Sequence, residues 1–329
     1  MIYDDIKNYH KQFAYEPKVE NPVKLRHGAR AAKKFVVVGM GGSHLAADLL
    51  KMWKPELDLL IWKSYGLPPL KDLKDRLVIV SSYSGTTEET IDAFNEAKKQ
   101  RLALAVVAAR GKLVALAEKW KVPYVQMPDF HMQPRMALGL SMKAMLALMG
   151  DKQGLAEASA LGVHLRPSHE EHRGKDLAKR LHGSVPIIYA SVQNSAIAEN
   201  WKIKFNESAK IPAFWNVVPE LNHNEMTGFD VKPRTTAISK NFHFVFLKDI
   251  VDDRRIARRM NVLEKLYHDR GFKVEVIMMQ GKTPLQKIFD ALILADWTSY
   301  YSGKLYEVDP EQVPMVEEFK KMIGKAQSS

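Results

Sequence analysis

FVVVGMGGSHLAADLL, residues 35–50, decides how this chain folds. Phe35-Val36-Val37-Val38 is apolar on both alternating faces, as in a strand buried on both sides of a parallel sheet. It runs into Gly39-Met40-Gly41-Gly42-Ser43, and Leu45, Ala46, Leu49 and Leu50 then repeat at helical spacing. Strand, glycine turn and helix in this order form one unit of an α/β fold. The same grammar recurs along the chain. Leu59–Trp62, Leu77–Val80, Leu104–Val107 and Val122–Val125 read as further strands. Helices are expected from about Glu88 to Gln100 and from Met136 to Leu148. Residues 1–34 read as one or two polar helices ahead of the first core strand.

A polar helix and linker are expected over about 150–183, and then the plan restarts. Pro186–Ala190, Phe244–Leu247 and Val274–Ile277 are strands, and an apolar helix runs from about Leu285 to Tyr301. With 329 residues, two domains are the natural division, here 1–152 and 153–329. The fold class is α/β. Each domain is expected to be a doubly wound, flavodoxin-like parallel sheet flanked by helices.

Composition narrows the function. The absence of cysteine excludes a disulfide framework, a thiolate metal site and a cysteine nucleophile. The N-terminal segment has no apolar run of the signal-peptide kind, and no stretch approaches a membrane span. A cytoplasmic protein is expected. The net charge of +11 is spread along the chain. Its densest patch, Arg254, Arg255, Arg258 and Arg259 with Lys265, has the spacing of a solvated helix face, so nucleic acid is not an expected partner.

Two strand-to-helix turns carry chemistry. In the first, glycines let the backbone approach an anion where Gly42 and Ser43 open a helix with free N–H groups. In the second, Ser82, Ser84 and Thr87 surround Gly85 and present neutral donors to the same kind of ligand. Either turn alone is also consistent with an ordinary capped helix start. Two of them at the carboxyl ends of strands in one sheet favour a shared phosphate site. A dinucleotide fingerprint is not met, because His44 stands where its third glycine belongs and Trp62-Lys63 closes the second strand without an acid. A Gly-Lys-Ser/Thr phosphate loop is absent as well. No cofactor and no metal are expected. In the second half, Glu207 falls near the end of a helix marked by Ile197, Trp201 and Phe205. His223 lies in the polar loop Pro219-Glu220-Leu221-Asn222-His223-Asn224-Glu225. Taken singly, each also reads as an ordinary surface or structural residue.

Together GMGGSHLAADLL, SSYSGTTEET, PRMALG, FNESAK and PELNHNE resemble the bifunctional phosphoglucose/phosphomannose isomerase family, a branch of the sugar isomerase (SIS) domain proteins. They follow the family's order over about 300 residues. The resemblance implies two SIS domains and metal-free interconversion of glucose 6-phosphate, and of mannose 6-phosphate, with fructose 6-phosphate. It implies that Gly42, Ser43, Ser82, Ser84 and Thr87 bind the phosphate, that Arg135 stabilises an enediolate, and that Glu207 moves the proton between C1 and C2. It also implies that His223 opens the sugar ring from the partner subunit of a homodimer, and that Lys320 reaches the sugar. These roles are chemically coherent. A weakly acidic C–H needs a positioned carboxylate, and the charge that develops needs a cation. Opening a cyclic sugar near neutral pH suits histidine.

Departures from the family pattern are His44 and Thr86, where a small residue and an asparagine are usual. His44 is expected to sit near the phosphate turn, narrowing it or adding a cation. The threonine of members that use mannose phosphate has no match around Glu311, Gln312 and Val313, so glucose activity is expected ahead of mannose activity. A regulatory SIS module, or an isomerase of another sugar phosphate, is the competing reading. The presence of both Glu207 and His223 argues against the former.

Overall fold

The computed structural model describes residues 1–22 and 32–326. They form two compact units. The first comprises Asp4–Pro167 with Gln280–Asp290, and the second comprises Met1–Tyr3, Ser168–Met279 and Ala291–Ser329. In the first unit the strands are β1 (Val19–Glu20), β2 (Lys34–Val38), β3 (Asp58–Trp62), β4 (Leu77–Ser81), β5 (Ala103–Ala108) and β6 (Tyr124–Gln126). They make a six-stranded sheet in the order β1-β6-β5-β4-β2-β3, parallel except for β1. Val36, Val38, Val78, Val80 and Val106 pack into one core with Phe94 and Leu113 from covering helices. Phe35, Val37 and Ile79, on the opposite face, are equally buried. Each such side chain contributes about 1.5–3 kcal/mol by leaving water, so burial on both faces fixes the sheet's place in the layer.

The second unit holds β7 (Val185–Ser191), β8 (Phe214–Val218), β9 (Phe242–Lys248) and β10 (Lys273–Met278), all parallel in the order β10-β9-β7-β8. Its core joins Tyr189, Phe244 and Phe246 to Met260, Leu263 and Tyr267 of the helix Arg254–Asp269. The opposite side of that helix exposes Arg254, Arg255, Arg258, Arg259 and Lys265, the solvated face expected from their spacing. The α/β reading is borne out: two largely parallel sheets flanked by helices.

Several local expectations changed. The leading segment is a short helix, Ile2–Lys7, a tight 3-10 turn, Tyr9–Ala14, and then β1, which pairs antiparallel with β6. The rest of that expected helical segment includes residues 23–31, outside the described residues. The stretch 150–183 forms two helices, Lys152–His164 and His169–Leu181, where one helix and a linker were expected. Among the described residues no helix is long and apolar enough to cross a membrane.

Candidate active site

In the first unit the helix Gly42–Trp53 starts directly beyond β2, with Gly41 at its cap in a positive-φ conformation. The side chain of Ser43 is buried, and its Oγ accepts a hydrogen bond from the Tyr83 backbone N–H at 3.0 Å. The first turn is thereby tied to the second. Ser81 Oγ adds a bond to the Ser43 carbonyl at 3.1 Å. As an acceptor, Ser43 keeps its own O–H as a donor for a ligand.

In the second turn, Ser82 Oγ lies 2.8 Å from Thr87 Oγ1 and accepts from the Gly85 N–H at 3.1 Å. Gly85 has φ +67°, and a Cβ there would sit 1.8 Å from the Arg110 carbonyl oxygen, so only glycine fits. Ser84 Oγ accepts from Thr86 Oγ1 at 3.1 Å. Thr86 thus orients Ser84, and its own side chain lies on the exposed side of the turn. Thr87 stands at the N-cap position of the helix Glu88–Lys99, with its hydroxyl turned to Ser82 rather than to the helix backbone. Gly42, Ser43, Ser82, Ser84 and Thr87 therefore share one region beyond the carboxyl ends of β2 and β4.

Arg135 belongs to the same region. It sits in the 3-10 turn Pro134–Met136 and is 1% exposed. A Cβ on Gly42 would lie 2.5 Å from Pro134 C and 2.6 Å from Arg135 N, so the first glycine turn and the arginine turn are in direct backbone contact. Gln12 fixes this turn from behind. Its Nε2 donates to the Met136 carbonyl at 2.7 Å, and its Oε1 accepts from the Gly139 N–H at 3.1 Å. Nothing in the sequence around Gln12 signals that role. His44 does lie beside the turn, but its Nδ1 faces the Asp48 carboxylate at 2.5 Å, one helical turn on, and Lys63 approaches the same carboxylate at 3.1 Å. The ring is thus tied to Asp48 of its own helix.

The second unit carries the remaining candidates on three elements. Glu207 is half-buried in a π turn, Phe205–Ala209, that ends the helix Ser195–Lys204. Wide turns of this kind inside helices recur at functional sites. Beneath it, Lys204 and Asp296 form a fully buried ion pair. A Cβ on Gly303 would meet the Ser208 carbonyl oxygen at 2.6 Å, so the end of the helix Pro284–Leu305 presses on the Glu207 turn. His223 is exposed at the end of the 3-10 turn Glu220–His223 after β8. Lys320 lies on the exposed helix Pro314–Ala326 and donates to Glu317 of that helix at 2.8 Å. No group of three or more His, Asp or Glu among the described residues is arranged to hold a metal.

Known proteins share this architecture and sequence. Residues 170–323 match the bacterial phospho-glucose isomerase C-terminal SIS domain. A bifunctional phosphoglucose/phosphomannose isomerase of Caldicellulosiruptor bescii is 31% identical over 342 residues, covering 98% of this chain and 99% of that protein. This chain belongs to the bifunctional phosphoglucose/phosphomannose isomerase family. A member from Aquifex aeolicus is 29% identical over 331 residues, with 98% of both chains covered. Among solved structures, glucosamine-6-phosphate deaminase from Thermotoga maritima superposes with a TM-score of 0.66 over 95% of this chain and 96% of its own, at 15% identity. That likeness concerns the SIS fold alone.

Proposed function

We propose that this family member interconverts glucose 6-phosphate and fructose 6-phosphate without a metal, through an enediolate, and accepts mannose 6-phosphate less well. The observation that carries the reading is the junction of three turns in the first unit. Ser43 is bonded to the backbone of the second hydroxyl-lined turn, and Gly42 packs on the turn of Arg135. Fixed neutral donors at a helix N-terminus suit a phosphate dianion, and phosphate held away from the reacting carbons orients them. His223 opens the ring. The Glu207 carboxylate takes the proton from C2 of the open aldose, and the electron pair moves into the C1–C2 bond as the carbonyl oxygen gains negative charge. Arg135 stabilises that oxygen. Return of the proton to C1, with the hydroxyl proton passing from O2 to O1 as C2 becomes the carbonyl, gives the ketose, so no redox partner is consumed. Rotation about C2–C3 would let one carboxylate serve both epimers. Lys320 contacts the sugar, and His223 comes from the partner subunit of a homodimer.

The test is turnover of fructose 6-phosphate by purified protein in EDTA, with glucose 6-phosphate and mannose 6-phosphate assayed separately. Either product, with glucose 6-phosphate dominant, supports the reading. Fructose 6-phosphate that binds without turning over would redirect it to a regulatory module or another sugar phosphate.

A further inference from the structure

The loop that carries His223 ends on Glu225, and the carboxylate of Glu225 is held from below by two adjacent strands. Tyr189 of β7 and Asn216 of β8 are register partners. The Tyr189 phenol donates to Glu225 Oε1 at 2.5 Å, and Asn216 Nδ2 donates to Glu225 Oε2 at 2.5 Å. Asn216 is itself oriented, since its Oδ1 accepts from the Val217 N–H at 2.8 Å. Tyr189 is fully buried against Phe244, Phe246 and Tyr267. Burial, with Tyr267 and Glu225 nearby, pushes its phenol well above the ordinary tyrosine range, so it remains a donor and Glu225 the acceptor. Two residues before His223, Leu221 is fully buried in the same core. His223 is therefore the exposed apex of a five-residue span anchored at both ends.

We propose that Glu225 is the positioning residue of His223. A carboxylate clamped by two strands fixes the apex and presents the imidazole outward in one orientation. An apolar residue packed in this core would anchor the loop without bringing a carboxylate in from water. Hydrogen bonds to an ionised acceptor hold direction as well as place. The inference rests on the reading that His223 opens the sugar ring.

Ring opening is read directly as catalysed exchange between the α and β anomers of glucose 6-phosphate, followed by NMR. Proton transfer is read separately as the primary isotope effect of deuterium at C2. Glu225→Gln, and Tyr189→Phe as a milder variant that keeps the packing, are expected to slow anomer exchange about tenfold while the isotope effect shrinks, because ring opening becomes limiting. His223→Ala should slow the same exchange on the order of a hundredfold. Wild-type anomer exchange in both folded variants, or slower turnover with an unchanged isotope effect, overturns the role of Glu225. Unimpaired exchange in His223→Ala overturns both the role of His223 and the inference built on it. A wild-type protein that neither exchanges anomers nor isomerises refutes the isomerase reading itself, and Glu225 then has no ring opening to support.

Discussion

One methyl group at Gly42 probes the junction on which the proposed phosphate site depends. The Cβ of Gly42→Ala would meet Pro134 C at 2.5 Å, Arg135 N at 2.6 Å and Pro134 Cβ at 2.8 Å. All three are backbone atoms or a rigid ring carbon, so no side chain can swing aside. Restoring ordinary contact, about 3.5 Å, requires the helix start and the arginine turn to part by about 1 Å. Overpacking of this kind costs about 1–3 kcal/mol, which lowers Tm by about 4–8 °C for a unit of this size at the middle of that range. The larger effect should be catalytic. The displacement separates the Ser43 hydroxyl from Arg135, and misplacement by about 1 Å can cost on the order of a hundredfold in rate. Gly228→Ala is the control, because a Cβ there meets nothing within 4 Å. Differential scanning fluorimetry and steady-state turnover of fructose 6-phosphate check both effects. A Gly42→Ala protein with wild-type Tm and turnover within about twofold would refute the argument that this contact sets the site.

Three further outcomes follow from other parts of the molecule. Glu207→Gln should abolish turnover and His223→Ala should cut it on the order of a hundredfold, and mixing the two under subunit exchange should restore about a quarter of wild-type activity if the histidine comes from the partner; a mixture that gains no activity argues for a histidine acting within its own subunit. His243 is 3% exposed, and its pKa is lowered to about 4, chiefly by burial and against the attraction of Glu275. The unfolded chain therefore binds the extra proton first, and stability should fall by up to about 3 kcal/mol as pH drops from about 6.5 through about 4, a slope in urea midpoints that His243→Asn should flatten. Lys204→Met or Asp296→Ala alone breaks a buried ion pair from one side and should cost about 3–5 kcal/mol, whereas the double replacement should recover part of that loss in denaturant titrations.

Legibility in the sequence tracked the range of the interactions involved. Central parallel strands announce themselves because burial on both faces demands an unbroken apolar run, as in Phe35–Val38 and Leu77–Val80. The strand Phe214–Val218 escaped notice because it lies at the sheet edge, where Phe214 is exposed and only Val218 is fully buried. The two-residue strand Val19–Glu20 is too short to show any period. The hydroxyl turns were legible because their polar groups are neighbours in sequence: Ser82, Gly85 and Thr87 bond within a six-residue span. Even the direction of the His44 ring was within reach, since Asp48 stands four residues on along the same helix. Other supports were out of reach in principle. Gln12 meets the arginine turn across 124 residues, and Glu225 finds its tyrosine 36 residues back along the chain. Both are polar side chains in polar stretches, so neither periodicity nor composition distinguishes them from surface residues. The residues proposed for proton transfer also occupy a π turn and a 3-10 turn, elements without a repeat that a sequence pattern can register. Sequence therefore points to the groups that would touch substrate, and the groups that hold them still become visible only when distant segments are folded together.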